Sequence, residues 1–182
     1  MALTGPTGTS LLYSPPPVGG EAIRLVQEAS PSSTHLVFSL RAAQDLALDG
    51  LALNLPFDGA TPGSRDGIAR VALSAPDVSF GGLDVTTGSP TRAAALLFPA
   101  SGPLAGVLVL GMAQKPVAAG GPAGDAQVPA GTVLATFALD LLPAGGTGFV
   151  LDGTTGDGFR LRLRSRAGDV QGTVAVGRLE VQ

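Results

Sequence analysis

The run Phe159-Arg160-Leu161-Arg162-Leu163-Arg164-Ser165-Arg166 alternates apolar and basic side chains. In an extended chain, odd-numbered residues share one face and even-numbered residues the other. Phe159, Leu161 and Leu163 then face a core. Arg160, Arg162 and Arg164, continued by Arg166, line the outer surface about 7 Å apart. Such a row of guanidinium groups can grip carboxylates or phosphates, which makes Arg160, Arg162 and Arg164 the candidate partner-binding residues. An acidic protein partner, an anionic envelope polymer or lipid headgroups would each supply those groups. The plainer reading is a solvated face on which Glu180 and other acids pair with the arginines across the sheet. A charged outer face also discourages edge-to-edge association.

Oxygen ligands gather in Asp152-Gly-Thr-Thr-Gly-Asp157-Gly. Two carboxylates, two hydroxyls and several carbonyls in one loop suit calcium, so Asp152 and Asp157 are the candidate metal ligands. The spacing is not that of an EF-hand loop, and Asp and Gly also build ordinary turns. His35 is the only histidine. Its alternation with Leu36 and Phe38 puts it on an outward face. A serine triad needs the histidine beside an activated serine and an orienting acid, and no nucleophile-elbow pattern is present. One histidine and no cysteine do not make a zinc site or a thiol nucleophile. No catalytic residue is identified, no cofactor other than calcium is implied, and the expected protein is not an enzyme.

Strands must carry these groups. The clearest is 131–142, where Val133, Ala135, Phe137, Leu139 and Leu141 alternate onto one face; Pro129 and Pro143 bound it. Others are expected at 22–28, 34–41, 68–74, 78–85, 93–98 and 148–151. In 51–57, Leu51, Leu53, Leu55 and Phe57 point inward, and Pro56, which cannot donate to a ladder, argues for an edge or a bulge. Residues 104–112 are apolar on both faces, as a central or covered strand is. A final hairpin is expected between 158–166 and 172–181. Only 41–47 and 90–97 offer a helical turn. Residues 114–130 form the longest stretch without a strand pattern, a loop that is functional or mobile.

The chain has 182 residues, 45% of them hydrophobic, with 27 glycines and 15 prolines. That is enough apolar material for one core, and the Gly and Pro content fits many short strands joined by turns. The fold class is therefore all-β, a two-sheet β-sandwich of about nine strands with jelly-roll topology. Residues 21–182 form the single domain, and 1–20, rich in Pro and Gly, form a flexible arm or linker. A net charge of -3 gives no case for nucleic acid. Trp is 0 and Tyr is 1, which disfavours an aromatic platform for sugars. The first residues have no basic n-region or apolar h-region, so no signal peptide is expected in the sequence as it stands, and no run is long enough for a transmembrane helix.

Three segments carry a family likeness: 36–58, from Leu36-Val-Phe-Ser-Leu through Leu51-Ala-Leu-Asn-Leu-Pro-Phe-Asp58; 104–113; and Gly131-Thr-Val-Leu-Ala-Thr-Phe-Ala-Leu139 with Pro143-Ala-Gly-Gly-Thr-Gly-Phe-Val-Leu-Asp152. In this order they resemble a cohesin-type domain, a β-sandwich module of bacterial cell-surface assemblies whose pattern is shared by carbohydrate-binding modules. The likeness spans roughly residues 22–182. It implies an extracellular or envelope location and a non-catalytic protein-protein interaction module. In cohesins one flat sheet face binds a dockerin partner, so the resemblance implies a dockerin-like protein partner. Two other functions fit the same residues: a permanent structural subunit of a surface layer, fibre or outer-membrane complex, and a calcium- or glycan-binding module.

Overall fold

The computed structural model describes residues 8–61, 63–80, 91–96, 104–114, 125–143, 145–154 and 159–182. Among them the chain runs through β1 (Leu11–Ser14), β2 (Ile23–Gln27), β3 (His35–Ala42), β4 (Leu46–Leu48) and β5 (Gly50–Pro56). A 3-10 turn at Gly67–Ala69 precedes β6 (Val71–Phe80), β7 (Thr91–Leu96), β8 (Val107–Gln114), β9 (Ala126–Val128) and β10 (Val133–Leu141). The last strands are β11 (Gly148–Asp152), β12 (Arg160–Ser165), β13 (Gly168–Val170), β14 (Val174–Ala175) and β15 (Arg178–Val181). The protein is all-β. No helix among the described residues is long and apolar enough to cross a membrane.

Two five-stranded sheets dominate, ordered β14-β2-β3-β10-β6 and β13-β12-β5-β8-β7. A three-stranded sheet, β1-β15-β11, and the pair β4-β9 complete the described strands. Alternation explains how the large sheets meet. Leu51, Leu53 and Leu55 of β5 and Leu108, Leu110 and Met112 of β8 are buried on one side. Leu36, Phe38 and Leu40 of β3 and Phe137 and Leu139 of β10 are buried on the other, and all belong to one core cluster. The arrangement is therefore sandwich-like, with two sheets sharing a single core.

β10 lies between β3 and β6, and β8 between β5 and β7, so both apolar segments are interior strands. One detail of β10 departs from simple alternation. Its register against β3 shifts between Val133 and Ala135, and that irregularity buries Leu134 and leaves Val133 half-buried. β5 is likewise interior, not an edge. Pro56 is tolerated because it is the last residue of β5: it still pairs with Val107 of β8, while β12 reaches only as far as Asn54. Neither helical turn forms. Residues 41 and 42 continue β3, Leu46–Leu48 is β4, and 91–96 is β7. The segments expected at 68–74 and 78–85 join as β6 up to Phe80, and 81–90 lie outside the described residues.

The final hairpin is also different. β12 turns back on β13 and packs against β5, whereas β14 pairs in parallel with β2 and β15 joins β1 and β11. The residues after Gly172 thus serve two other sheets, which alternation within one segment does not reveal.

Part of the expected arm is a strand. In β1, Leu11 and Tyr13 are buried and pair with Val181 and Leu179. The Tyr13 ring meets Phe38 edge-on at 5.1 Å, and Phe38 stacks on Phe137 at 5.6 Å, so one aromatic file links β1, β3 and β10. The Tyr13 hydroxyl donates to Leu25 O at 3.0 Å and accepts from Gly177 N at 3.2 Å. Burial pushes its pKa up to about 12, against smaller lowering effects of the Gly177 amide and Arg24. The folded state thus holds the phenolic proton more tightly than the unfolded chain, whose tyrosine titrates near 10.0. This contribution is complete below pH 10.0 and is lost as pH rises towards about 12. Urea unfolding across that window should show a falling midpoint that Tyr13→Phe flattens; equal slopes in the two proteins would refute the assignment.

Candidate functional site

The arginine row sits where two β12 neighbours fix its register. Arg160, Arg162 and Arg164 pair with Asn54, Ala52 and Gly50 of β5, and these pair in turn with Val109, Gly111 and Ala113 of β8. Directly paired residues of antiparallel strands share a face. All three arginines are exposed, while Leu163 is buried and Phe159 and Leu161 pack against the core, so the alternation is that of the sequence. Towards β5 and β8, the rows of the middle and last arginine hold Ala52, Gly111, Gly50 and Ala113, and on the other side Asp169 of β13 stands directly opposite Arg164. Across β5 and β8, Arg162 and Arg164 therefore border a low floor with no side chain longer than a methyl group, while Arg160 borders Asn54 and Val109.

Arg162 forms a two-point ion pair with Asp169 of β13, Nε to Oδ1 at 3.3 Å and NH2 to Oδ2 at 3.1 Å. The side chains are 73% and 52% exposed, so the pair is worth only about 0.2–1 kcal/mol. Arg160 donates to the neighbouring Phe159 carbonyl at 3.3 Å. Among the described residues, no carboxylate lies within ion-pair reach of Arg160 or Arg164. Glu180, expected to neutralise the row, belongs to another sheet and accepts from Gln182 Nε2 at 2.6 Å. Arg166, next along, donates its backbone amide to Asp125 Oδ1 at 2.8 Å. A groove of ≈ 470 Å³ lies beside Arg160 and Arg162, lined also by Ala52, Asn54, Asp169 and Gln171 but not by Arg164.

The outer face of the other large sheet is different in kind, because its polar groups satisfy one another. Glu28 accepts from Ser39 Oγ and from Arg41 Nε at 3.0 Å. His35 Nδ1 lies 2.6 Å from Asp140 Oδ1, and Ser74 Oγ donates to Asp140 Oδ2 at 2.5 Å. The Ser74 bond, then the His35 bond, hold the Asp140 carboxyl below its usual range despite partial desolvation. His35, Asp140 and Ser74 come from β3, β10 and β6, so the sequence presents them as unrelated. The antiparallel register that sets Asp140 opposite His35 makes the cluster.

These three are serine, histidine and aspartate, yet the geometry is not that of a triad. Ser74 Oγ is 3.3 Å from the same ring nitrogen, Nδ1, that faces Asp140, and its hydroxyl is spent on the carboxylate. A nucleophilic serine needs the opposite ring nitrogen as its base. The cluster ties three strands together.

At the calcium candidate, Asp152 is buried and both its oxygens are engaged. Oδ1 accepts from Thr154 N at 3.0 Å and Thr154 Oγ1 at 2.5 Å, and Oδ2 from Arg178 NH2 at 3.2 Å. Burial raises the Asp152 pKa, but the Thr154 and Arg178 bonds outweigh it and hold the carboxyl below its usual range. Arg178 also covers the Phe149 ring at 4.7 Å. Asp157 lies outside the described residues, as do 115–124 of the long loop. Among the described residues no group of three or more His, Cys, Asp or Glu could hold a metal ion.

No protein-family model matches this chain, and no curated protein matches it.

Proposed function

We propose that the chain is a non-catalytic interaction module of a bacterial cell-envelope or extracellular assembly, a cohesin-like sandwich of jelly-roll type that binds a protein partner. The binding surface is the outer face of the sheet β13-β12-β5-β8-β7. One observation carries this reading: Arg160 and Arg164 form no ion pair with a carboxylate among the described residues, and the rows of Arg162 and Arg164 open onto a floor of Gly and Ala. A row of cations of which two have no carboxylate partner among the described residues is suited to steering and orienting an acidic partner. The polar groups of the opposite sheet neutralise one another and offer less to a partner.

A permanent structural subunit is less well supported. Obligate interfaces resemble a core cut in half, and the exposed large hydrophobics among the described residues are Leu12 and Val18, neither of which belongs to a strand of this sheet. The test is affinity capture from the native envelope with the wild-type chain and with Arg160→Gln/Arg162→Gln/Arg164→Gln. A defined partner retained by the wild type and lost by the triple variant is expected. The same partner recovered equally by both proteins would overturn the assignment of the face.

A further inference from the structure

Resting on that reading of the face, we infer that the partner presents an extended acidic segment with carboxylates at alternate residues, and that Asp169 is a built-in competitor for it. The Arg162–Asp169 pair shows how a carboxylate is held here, with two nitrogens of one guanidinium facing the two oxygens of one carboxylate. Asp169 comes from a neighbouring three-residue strand and is half exposed, so a ligand carboxylate can take its place at little cost. Arg160 has no such internal occupant among the described residues, and Arg164 stands opposite Asp169 without forming an ion pair to it; both flank Arg162 at the strand repeat of about 7 Å. A second extended chain has that same repeat between alternate side chains, so three of its acids can meet the three arginines together.

The floor sets the approach. Ala52 and Gly111 lie in the row of Arg162, and Gly50 and Ala113 in that of Arg164, so a ligand backbone can come close to the sheet while its acids reach sideways. At the Arg160 end, Asn54 adds an amide that can both donate to and accept from a peptide group. Single-stranded nucleic acid has a similar charge spacing but stacks its bases on aromatic side chains, and the residues of β5, β8 and β12 on this face include none. A membrane surface would need apolar side chains to insert beside the cations, and the described residues of β5 and β8 on this face supply only the half-buried Val109, Ala52 and Ala113.

The probe is a fluorescent peptide of alternating Asp and Ser, compared by anisotropy with a peptide of the same composition whose acids form a single block, and with oligothymidylate. The alternating peptide is expected to bind the wild-type chain more tightly than either control. Arg160→Gln and Arg164→Gln are each expected to weaken it about threefold, the size of one exposed ion pair. Asp169→Asn should strengthen it by a similar factor, and Ala52→Leu, at an exposed position, should weaken it without altering charge. Equal affinity for the block peptide or for oligothymidylate would overturn the inference, as would weaker binding by Asp169→Asn. If no peptide binds while the triple variant still loses its envelope partner, the acidic segment is wrong and the interaction face stands.

Discussion

Replacing Phe38 with Ala lowers the stability of the protein by about 3–5 kcal/mol, the range for removing a large aromatic ring from a packed core. Phe38 is 0% exposed and stands in the aromatic file between Tyr13 and Phe137. Its loss strips contacts from β1 on one side and β10 on the other, and neither backbone can collapse into the space without breaking its own pairings. β3 is held along both edges, to β2 through Leu25↔Leu40 and to β10 through Leu139↔Leu36, so the void persists. Urea denaturation at neutral pH measures the effect. A loss smaller than about 1 kcal/mol would mean that the core around Phe38 relaxes freely.

Gly177→Ala is the second large expectation, and it works by crowding. The chain leaves β14, which belongs to a large sheet, and enters β15 of the three-stranded sheet through Val176-Gly177. A Cβ at 177 would overlap the Ser14 carbonyl oxygen and stand 2.9 Å from the Tyr13 hydroxyl. The first contact is backbone, so a side-chain rotation does not relieve it. Gly177 N also donates to that hydroxyl, and Gly177 O accepts from Gly153 N at 3.0 Å, so movement at 177 disturbs β1 and β11 together. A destabilisation of about 3 kcal/mol is expected, at the upper end of the usual overpacking range. Thermal unfolding of Gly177→Ala beside Gly168→Ala separates crowding from backbone strain. Gly168 has no neighbour in its Cβ position but holds φ 137°, so its substitution costs only strain. Equal losses in the two variants would remove the crowding argument.

How much of this was legible from the residues depends on how far apart the partners lie. Leu51, Leu53 and Leu55, or Arg160, Arg162 and Arg164, declare their faces within seven residues or fewer because side chains in a strand alternate. Pairing is a different matter. Nothing local indicates that Gly50 meets Ala113 or that Ala52 meets Gly111, so the low floor beside the arginines emerges only from the register of β5 on β8. The acid opposing the row was sought in Glu180, whereas the chain turns immediately after Ser165 and delivers Asp169. The cluster of His35, Ser74 and Asp140 was invisible for the same reason, since it depends on two long-range pairings at once. An irregularity such as the one between Val133 and Ala135 escapes pattern reading because it breaks the period on which the reading depends.

β1 and β15 place the two described ends of the chain side by side. Thr9 N donates to Gln182 O at 2.7 Å, Gln182 N to Ser10 O at 3.0 Å, and Leu11 pairs with Val181. Tension applied between residues 9 and 182 therefore enters the strand pair at its open end and parts the hydrogen bonds in succession, as a zipper opens, where a shear geometry would load them all at once. The first element to yield is β1, and as it peels away Tyr13 leaves its seat against Leu25 and Phe38.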